Sequence, residues 1–132
     1  MIVVDTNIIA YLYLQNEYTI LAENLLLRNP DWHAPVLWRN ELRSVLTKYL
    51  RINLLKFDEV FNIQKDAEGL LTGKEYEIDS YSVLKLVENS DCSAYDCEFV
   101  ALAKSLNTKL VTMHKKVLRS FKDISISLID FL

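Results

Sequence analysis

The sequence predicts an α/β fold, a three-layer α/β/α sandwich whose central sheet has four to five mostly parallel strands. Short apolar runs rich in β-branched residues alternate with segments whose apolar residues recur at helical spacing. Strands separated by helices favour a parallel sheet that is covered by helices on both faces. A length of 132 residues, 51% of them hydrophobic, suits one domain with a packed core. We therefore assign residues 1–132 to a single domain.

The first predicted strand lies at the beginning of the sequence. Ile2, Val3 and Val4 form an apolar run typical of a buried parallel strand, and Asp5 follows directly. Ligands usually bind at the carboxyl ends of strands in α/β sheets, and right-handed crossovers place the carboxyl ends of the first and fourth strands at one edge. The predicted strands cover 2–5, 32–34, 75–78, 109–112 and 124–129.

The predicted helices rest on apolar periodicity and on end signals. The longest amphipathic pattern covers 36–53, with Glu41 at the edge of its apolar stripe. A later helix begins after a Ser93 cap and places Asp96 in its first turn, with Tyr95 and Phe99 on its predicted apolar face. The predicted helices cover 7–14, 19–28, 36–53, 57–71, 80–88, 94–106 and 115–121.

Composition excludes several classes of protein. The net charge of −3 argues against a protein that binds nucleic acid mainly through a basic surface. Two cysteines and two histidines indicate neither a disulfide framework nor a structural zinc site. The N-terminus lacks the features of a signal peptide, and no apolar run is long enough for a bilayer span. The expected compartment is the cytoplasm, with no membrane partner.

Three acids share a setting that favours metal chemistry. Asp5 ends a buried strand, Glu41 edges an apolar helix face, and Asp96 lies in the first turn of a helix. Grouped carboxylates suit hard ions such as Mg²⁺ or Mn²⁺ and repel one another without a cation. Structural roles remain open for each acid. Asp5 could cap a helix, Glu41 could pair with Arg39 or Lys48, and Asp96 could belong to a capping box.

Three segments carry a resemblance to a known family. V-V-D-T-N at the start, R-N-E-L in the middle and S-A-Y-D-C-E-F-V-A-L-A near the end resemble the signatures of the PIN domain, and more narrowly of VapC-type ribonuclease toxins. The resemblance implies RNA cleavage dependent on Mg²⁺ or Mn²⁺ and a small antitoxin partner. It also implies that Asp5, Glu41 and Asp96 are the catalytic metal ligands. Supporting hydrogen bonds would come from Thr6, Asn7, Ser93 and Thr112.

The sequence departs from the family pattern after the fourth strand. The family usually has T-x-D there, whereas this chain has Thr112-Met113-His114. His114 therefore stands where a further acid is expected. Three roles are open for it: a surface residue, a metal ligand better suited to Mn²⁺ than to Mg²⁺, or a phosphate contact. The candidate RNA contacts are the basic residues near these motifs, Arg39, Arg43, Lys115, Lys116 and Arg119.

The favoured function is that of a metal-dependent endoribonuclease toxin, in which a metal-activated water attacks the phosphodiester. The alternative is a weakened or inactive PIN-like module that binds RNA or protein, because His114 replaces an acid. A phosphotransferase with Asp5 as nucleophile is disfavoured, since Asn7 stands where such sites often carry a second acid. A Rossmann cofactor domain is disfavoured, because the chain has only two glycines, Gly69 and Gly73, and neither follows a predicted strand. A homodimer remains open.

Overall fold

The central sheet has five strands, all parallel, in a computed structural model that describes residues 1–132. The strand order is β3-β2-β1-β4-β5, so β1 and β4 lie side by side at the centre. This confirms the predicted α/β sandwich and makes its sheet wholly parallel. The strands are β1 (Ile2–Val4), β2 (Trp32–Pro35), β3 (Glu75–Tyr76), β4 (Leu110–Thr112) and β5 (Ser125–Ser127).

The helices agree with the predicted segments to within a few residues, apart from one at the C-terminus. The sequence predicts a strand to residue 129, but β5 ends at Ser127, whose hydroxyl accepts a hydrogen bond from the backbone N–H of Asp130 and caps a last helix. No helix combines the length and apolarity that a membrane span requires. The helices are α1 (Thr6–Tyr13), α2 (Thr19–Arg28), α3 (Trp38–Arg51), α4 (Phe57–Leu70), α5 (Ser80–Glu88), α6 (Ala94–Ser105), α7 (Lys115–Ser120) and α8 (Leu128–Phe131).

The core lies on both faces of the sheet. All residues of β1, β2 and β4 are buried, which explains why β1 and β4 have continuous apolar runs rather than alternating ones. Trp38 and Leu42 of α3 are fully buried, as their spacing predicts. Burying one such large side chain contributes about 1.5–3 kcal/mol, and this burial fixes the rotation of α3 and thereby the direction of Glu41 at the edge of the stripe.

The orientation of α6 determines which residues reach the carboxyl edge of the sheet. After α6, the Thr108 hydroxyl donates a hydrogen bond to the Met1 carbonyl at 2.7 Å, which fixes the C-terminal end of the helix at the start of β1. The 12-residue helix is about 18 Å long, whereas the three residues of β1 span about 10 Å. The first turn of α6 therefore extends beyond the edge at which Asp5 follows β1.

Candidate active site

Asp5 is held at the carboxyl edge by two hydrogen bonds. The Thr6 backbone N–H donates to Oδ1 at 2.8 Å, so Asp5 caps α1. The Thr112 hydroxyl, at the end of β4, donates to Oδ2 at 2.6 Å. Asp5 therefore fills the capping role that the sequence left open, at the end of β1 where the sequence placed it. Each carboxylate oxygen keeps a second lone pair for another ligand.

Glu41 joins Asp5 through Thr6. The buried Thr6 hydroxyl donates to Glu41 Oε1 at 2.7 Å, and the backbone N–H of the same residue binds Asp5. Glu41 forms no ion pair, so the alternative pairing with Arg39 or Lys48 is wrong. The reason is that Glu75 engages Arg39, with its Oε2 only 2.6 Å from the guanidinium Nε. One threonine thus bridges two of the three predicted acids.

Asp96 lies in the first turn of α6, and its carboxylate accepts no hydrogen bond from the chain. Its backbone N–H donates to the Ser93 hydroxyl at 3.0 Å, which confirms Ser93 as the cap of the helix. The reciprocal bond of a capping box, from the Ser93 backbone to the Asp96 carboxylate, does not form. Asp96 therefore presents its charge at the sheet edge without a hydrogen-bond or ion-pair partner in the chain. The Ser93 hydroxyl forms no hydrogen bond with the other acids.

Burial and neighbouring charge raise the pKa of two of the three acids, Asp5 and Glu41. Burial is the main cause that raises the pKa of Asp5, and the negative charge of Asp96 raises it further, against the opposing hydrogen bonds from Thr112 and Thr6. Burial likewise raises the pKa of Glu41, and the charges of Asp5 and Asp96 add to this effect. Without a cation, therefore, the site holds carboxylates that are costly to ionise.

Sequence reasoning missed a fourth acid, Glu98. Burial raises the pKa of this half-buried carboxyl group, and its negative charge contributes to the raised pKa of Glu41. Glu98 has no hydrogen-bond or ion-pair partner in the chain. Its position two residues after Asp96, within the third motif, was the available signal. Without the structure, however, nothing indicated which way the side chain faces.

His114 adjoins the site through the backbone. Its N–H donates to the Thr112 hydroxyl at 3.0 Å, and the same hydroxyl donates to Asp5. The ring Nδ1 accepts a hydrogen bond from the Val117 N–H at 3.4 Å and caps α7. His114 is exposed, its Nε2 has no partner in the chain, and a positive charge on its ring would lower the pKa of Asp5.

Comparison with known families agrees with this geometry. A family model described as "PIN domain" matches residues 2–123, which include the three motifs, the sheet edge and the acids described above. The chain belongs to the PIN domain family. The resemblance that the three motifs carry is thereby confirmed over nearly the whole length.

Individual relatives support the same assignment. Ribonuclease VapC3 of Pyrobaculum aerophilum is 30% identical over 125 residues, which are 91% of this chain and 94% of the relative. Two solved structures share the fold. FitAcB from Neisseria gonorrhoeae has a TM-score of 0.76 at 17% identity and covers 98% of this chain and 99% of its own. FitAB bound to an IR36 DNA fragment has a TM-score of 0.71 at 18% identity and covers 97% and 95%.

The predicted metal ligands of this PIN domain do not form a ready-made metal site. No three His, Cys, Asp or Glu side chains come together closely enough to hold an ion. The chemistry of the donors nevertheless fits a hard divalent cation, because carboxylate oxygens are hard ligands. Burial first, and the charge of Asp96 in addition, raise the pKa of Asp5 and of Glu41. Repulsion between ionised carboxylates opposes their closer approach, and a cation would remove that opposition.

The remaining predicted residues of the PIN domain differ in their surroundings. Arg39 is engaged by Glu75 and Glu68, and Arg43 donates to the Arg39 carbonyl and to a side chain of its own helix. Lys115 and Lys116 are exposed and form no ion pair. The Oδ1 atom of Asn7, in the first turn of α1, is buried without a hydrogen-bond partner, which leaves an acceptor in the expected supporting position.

Proposed function

We propose that this PIN domain is a divalent-metal-dependent endoribonuclease and the toxin of a toxin–antitoxin pair. The observation that carries the proposal is the assembly at the sheet edge. Thr6 bridges Asp5 and Glu41, and the charge of Asp96 acts on both. The 30% identity to a relative named as a ribonuclease supports RNA as the substrate. The enzyme would then act on RNA in the cytoplasm.

In this proposal, the residues of the site would have distinct roles. Asp5, Glu41 and Asp96 would hold Mg²⁺ or Mn²⁺, and His114 would add a nitrogen ligand if its free Nε2 turns toward them. Such an ion lowers the pKa of bound water and neutralises charge on a phosphodiester. Thr112 and Thr6 orient Asp5 and Glu41 through their hydroxyls, because ligands that are held in place by hydrogen bonds bind more tightly. No covalent intermediate with the protein is required.

Cleavage of RNA by the purified protein tests this proposal. We expect cleavage of a mixed-sequence RNA with Mn²⁺ or Mg²⁺, and none when the ions are removed by a chelator. Asp5→Asn should abolish cleavage, because it removes a ligand charge while it keeps the cap of α1. Asp66→Asn, an exposed acid on α4, is the matched control and should cleave normally. Equal activity of the Asp5→Asn variant would refute the assignment of the site.

A second candidate function follows from His114. If the lack of a carboxylate at position 114 prevents catalysis, the protein is an RNA- or protein-binding module with the same fold. RNA binding without cleavage, under every metal condition, would establish this alternative.

A groove between α3 and α4 offers a docking surface for the antitoxin partner. Tyr11, Tyr18 and Leu26 of the first two helices, which could form either a partner groove or part of the core, are half-buried and pack against the core. A groove of about 460 Å³ between α3 and α4 instead contains exposed apolar side chains and a stacked pair of phenylalanine rings, with centroids 6.0 Å apart. Its lining includes Leu46, Leu50, Phe57, Val60 and Phe61, with Arg43 and Lys65 beside them.

We infer that this α3–α4 groove takes an amphipathic antitoxin helix, with acidic side chains toward Arg43 and Lys65. The small protein encoded beside this gene should copurify with the chain and suppress cleavage. Phe57→Asp/Phe61→Asp should prevent copurification without loss of cleavage, because both rings are exposed. Copurification that is unaffected by the double substitution would place the partner elsewhere.

A further inference from the structure

An aromatic side chain is exposed directly beside the acids. Tyr95 was predicted on the apolar face of α6, with Phe99 one turn later. Phe99 is 2% exposed, as expected, but Tyr95 is 63% exposed. Tyr95 shares the face of Phe99 but is not covered, because the first turn of α6 extends beyond the sheet edge and has no strand beneath it there. Tyr95 therefore lies next to Asp96, on the part of α6 that reaches past the end of β1.

A second feature that adjoins the acids is a group of cations on α7. On α7, Lys115, Lys116 and Arg119 fall within about 100° of helix circumference, while Val117 on the opposite side is buried. All three cations are exposed, none forms an ion pair, and no acid occurs between residues 113 and 122. This basic face of α7 therefore keeps its full positive charge.

The basic face is anchored to the candidate active site by a continuous set of contacts. The residue that caps α7 donates its backbone N–H to the Thr112 hydroxyl, which in turn donates to Asp5 at 2.6 Å. By contrast, the cations at the start of α3 are engaged, since Arg39 binds Glu75 and Glu68. Free positive charge near the acids is therefore found on α7, where a polyanion can approach a site that would otherwise repel it.

We propose that Tyr95 stacks on a nucleobase next to the scissile phosphate and that the basic face of α7 holds phosphates of the same strand. This inference rests on the proposed function and adds a residue that positions the substrate. An aromatic platform beside a basic track is the arrangement by which proteins bind single-stranded nucleic acid. Stacking on Tyr95 requires a base that has left its own stack, so an unpaired segment is bound in preference to a duplex.

Binding, rather than cleavage, is the appropriate test for Tyr95. Fluorescence anisotropy would measure the affinity of Asp5→Asn protein, without added metal, for a labelled single-stranded RNA and for the same sequence as a duplex. Adding Tyr95→Ala should weaken single-strand binding by about 5- to 150-fold, the value of one lost stack, whereas Tyr95→Phe should keep it. Duplex binding should not change. Tyr81→Ala, on α5 and 74% exposed, is the control and should bind like its parent.

Salt dependence tests the basic face of α7. Each contact with a single-strand phosphate contributes about 0.7 to the slope of log affinity against log salt concentration. Lys115→Ala/Lys116→Ala should therefore make this slope shallower by about 1.4. The control is Lys48→Ala/Lys104→Ala, two exposed cations of α3 and α6 that form no ion pair. It should leave the slope close to that of the parent.

The results separate this inference from the proposed function. Loss of single-strand affinity in Tyr95→Ala, together with the shallower slope, supports the inference even if no RNA is cleaved. Unchanged affinity in Tyr95→Ala, or equal losses for single strand and duplex, overturns it while nuclease activity can stand. Salt slopes that fall equally in both double variants also overturn it. Absence of RNA binding in every variant overturns the inference and the proposed function together.

Discussion

At the scale of single residues, two threonines organise the candidate active site. Thr6 donates its backbone N–H to Asp5 and its hydroxyl to Glu41, and Thr112 donates its hydroxyl to Asp5. These hydrogen bonds favour the ionised carboxylates, but burial outweighs them and raises the pKa of both acids. The protein therefore keeps costly charges in place, as is common at functional sites.

Glu41→Gln should stabilise the metal-free protein at neutral pH. The pKa of Glu41 is raised above its ordinary value of 4.5, so its ionisation costs stability as pH rises through the folded-state pKa. The gain should vanish below pH 4.5, where both states are protonated. Urea unfolding between pH 4 and 8 measures this, with the exposed Glu23→Gln on α2 as control. A variant less stable than wild type at pH 7 would contradict the assigned cause.

His114→Asp should increase cleavage with Mg²⁺ relative to Mn²⁺, because it supplies a hard oxygen ligand in place of nitrogen. Aspartate also caps helices well, so α7 should remain folded. His114→Ala is the comparison, and it should lose about 1 kcal/mol of stability with the cap. Initial rates of RNA cleavage in Mg²⁺ and in Mn²⁺ measure the effect of each substitution. If both substitutions leave the rates in both ions unchanged, His114 takes no part in the reaction.

At the scale of elements, side chains secure the short edge strand β3. Arg39 on α3 donates two hydrogen bonds to Glu75, at 2.6 and 2.7 Å, and the Trp38 indole N–H donates a third at 2.7 Å. These contacts lower the pKa of Glu75, chiefly through Arg39. They fasten the N-terminal end of α3 to the sheet, and with it the first turn that carries Glu41.

Glu75→Gln should destabilise the protein by about 1 kcal/mol, since it removes a charge-assisted pair that is partly screened by solvent. The wild type should lose this increment as pH falls from 4.5 through the lower folded-state pKa of Glu75, because protonation ends the pairing. Glu77→Gln is the matched control, an exposed acid two residues away without a hydrogen bond. Thermal unfolding of both variants decides the question, and equal stabilities would show that the pair contributes nothing.

At the scale of the whole molecule, the parallel sheet brings together acids that are distant in sequence. Asp5 follows β1, Thr112 ends β4, Glu41 follows β2 by way of α3, and Asp96 lies in the first turn of α6. Asp5, Glu41 and Thr112 lie at the carboxyl edge because β1, β2 and β4 run in the same direction. Asp96 reaches this edge because the C-terminal end of α6 is fixed at the start of β1. Mutual repulsion there opposes the metal-free fold, so a bound cation should stabilise the entire domain.

Mg²⁺ or Mn²⁺ at 100 times its dissociation constant should stabilise the protein by about 2.7 kcal/mol, which corresponds to about 10 °C in Tm for a domain of this size. Asp5→Asn/Asp96→Asn should abolish the shift and the binding heat of Mn²⁺ in calorimetry. The control is Asp58→Asn/Asp66→Asn, two exposed acids of α4, which should keep both. An unchanged Mn²⁺ affinity in the Asp5/Asp96 variant would refute these residues as ligands.

The sequence by itself determined the elements of the fold and the candidate acids. Periodicity and end signals are local, so the strands, most helices and the parallel sheet were predictable from apolar runs and caps. β5 and α8 were misjudged because alternation to residue 129 fits a strand, while the Ser127 cap also begins a helix turn. The motifs placed Asp5, Glu41 and Asp96 in the family pattern before any contact was known.

Only the tertiary structure decided which side chains meet. The bridge through Thr6 to Glu41, the engagement of Arg39 by Glu75 and the position of Glu98 depend on where separate elements cross. Sequence spacing contains no such information. The exposure of Tyr95 has the same origin. The periodicity of α6 correctly assigns Tyr95 to the apolar face, but whether that face is covered depends on the length of the helix relative to the strands beneath it.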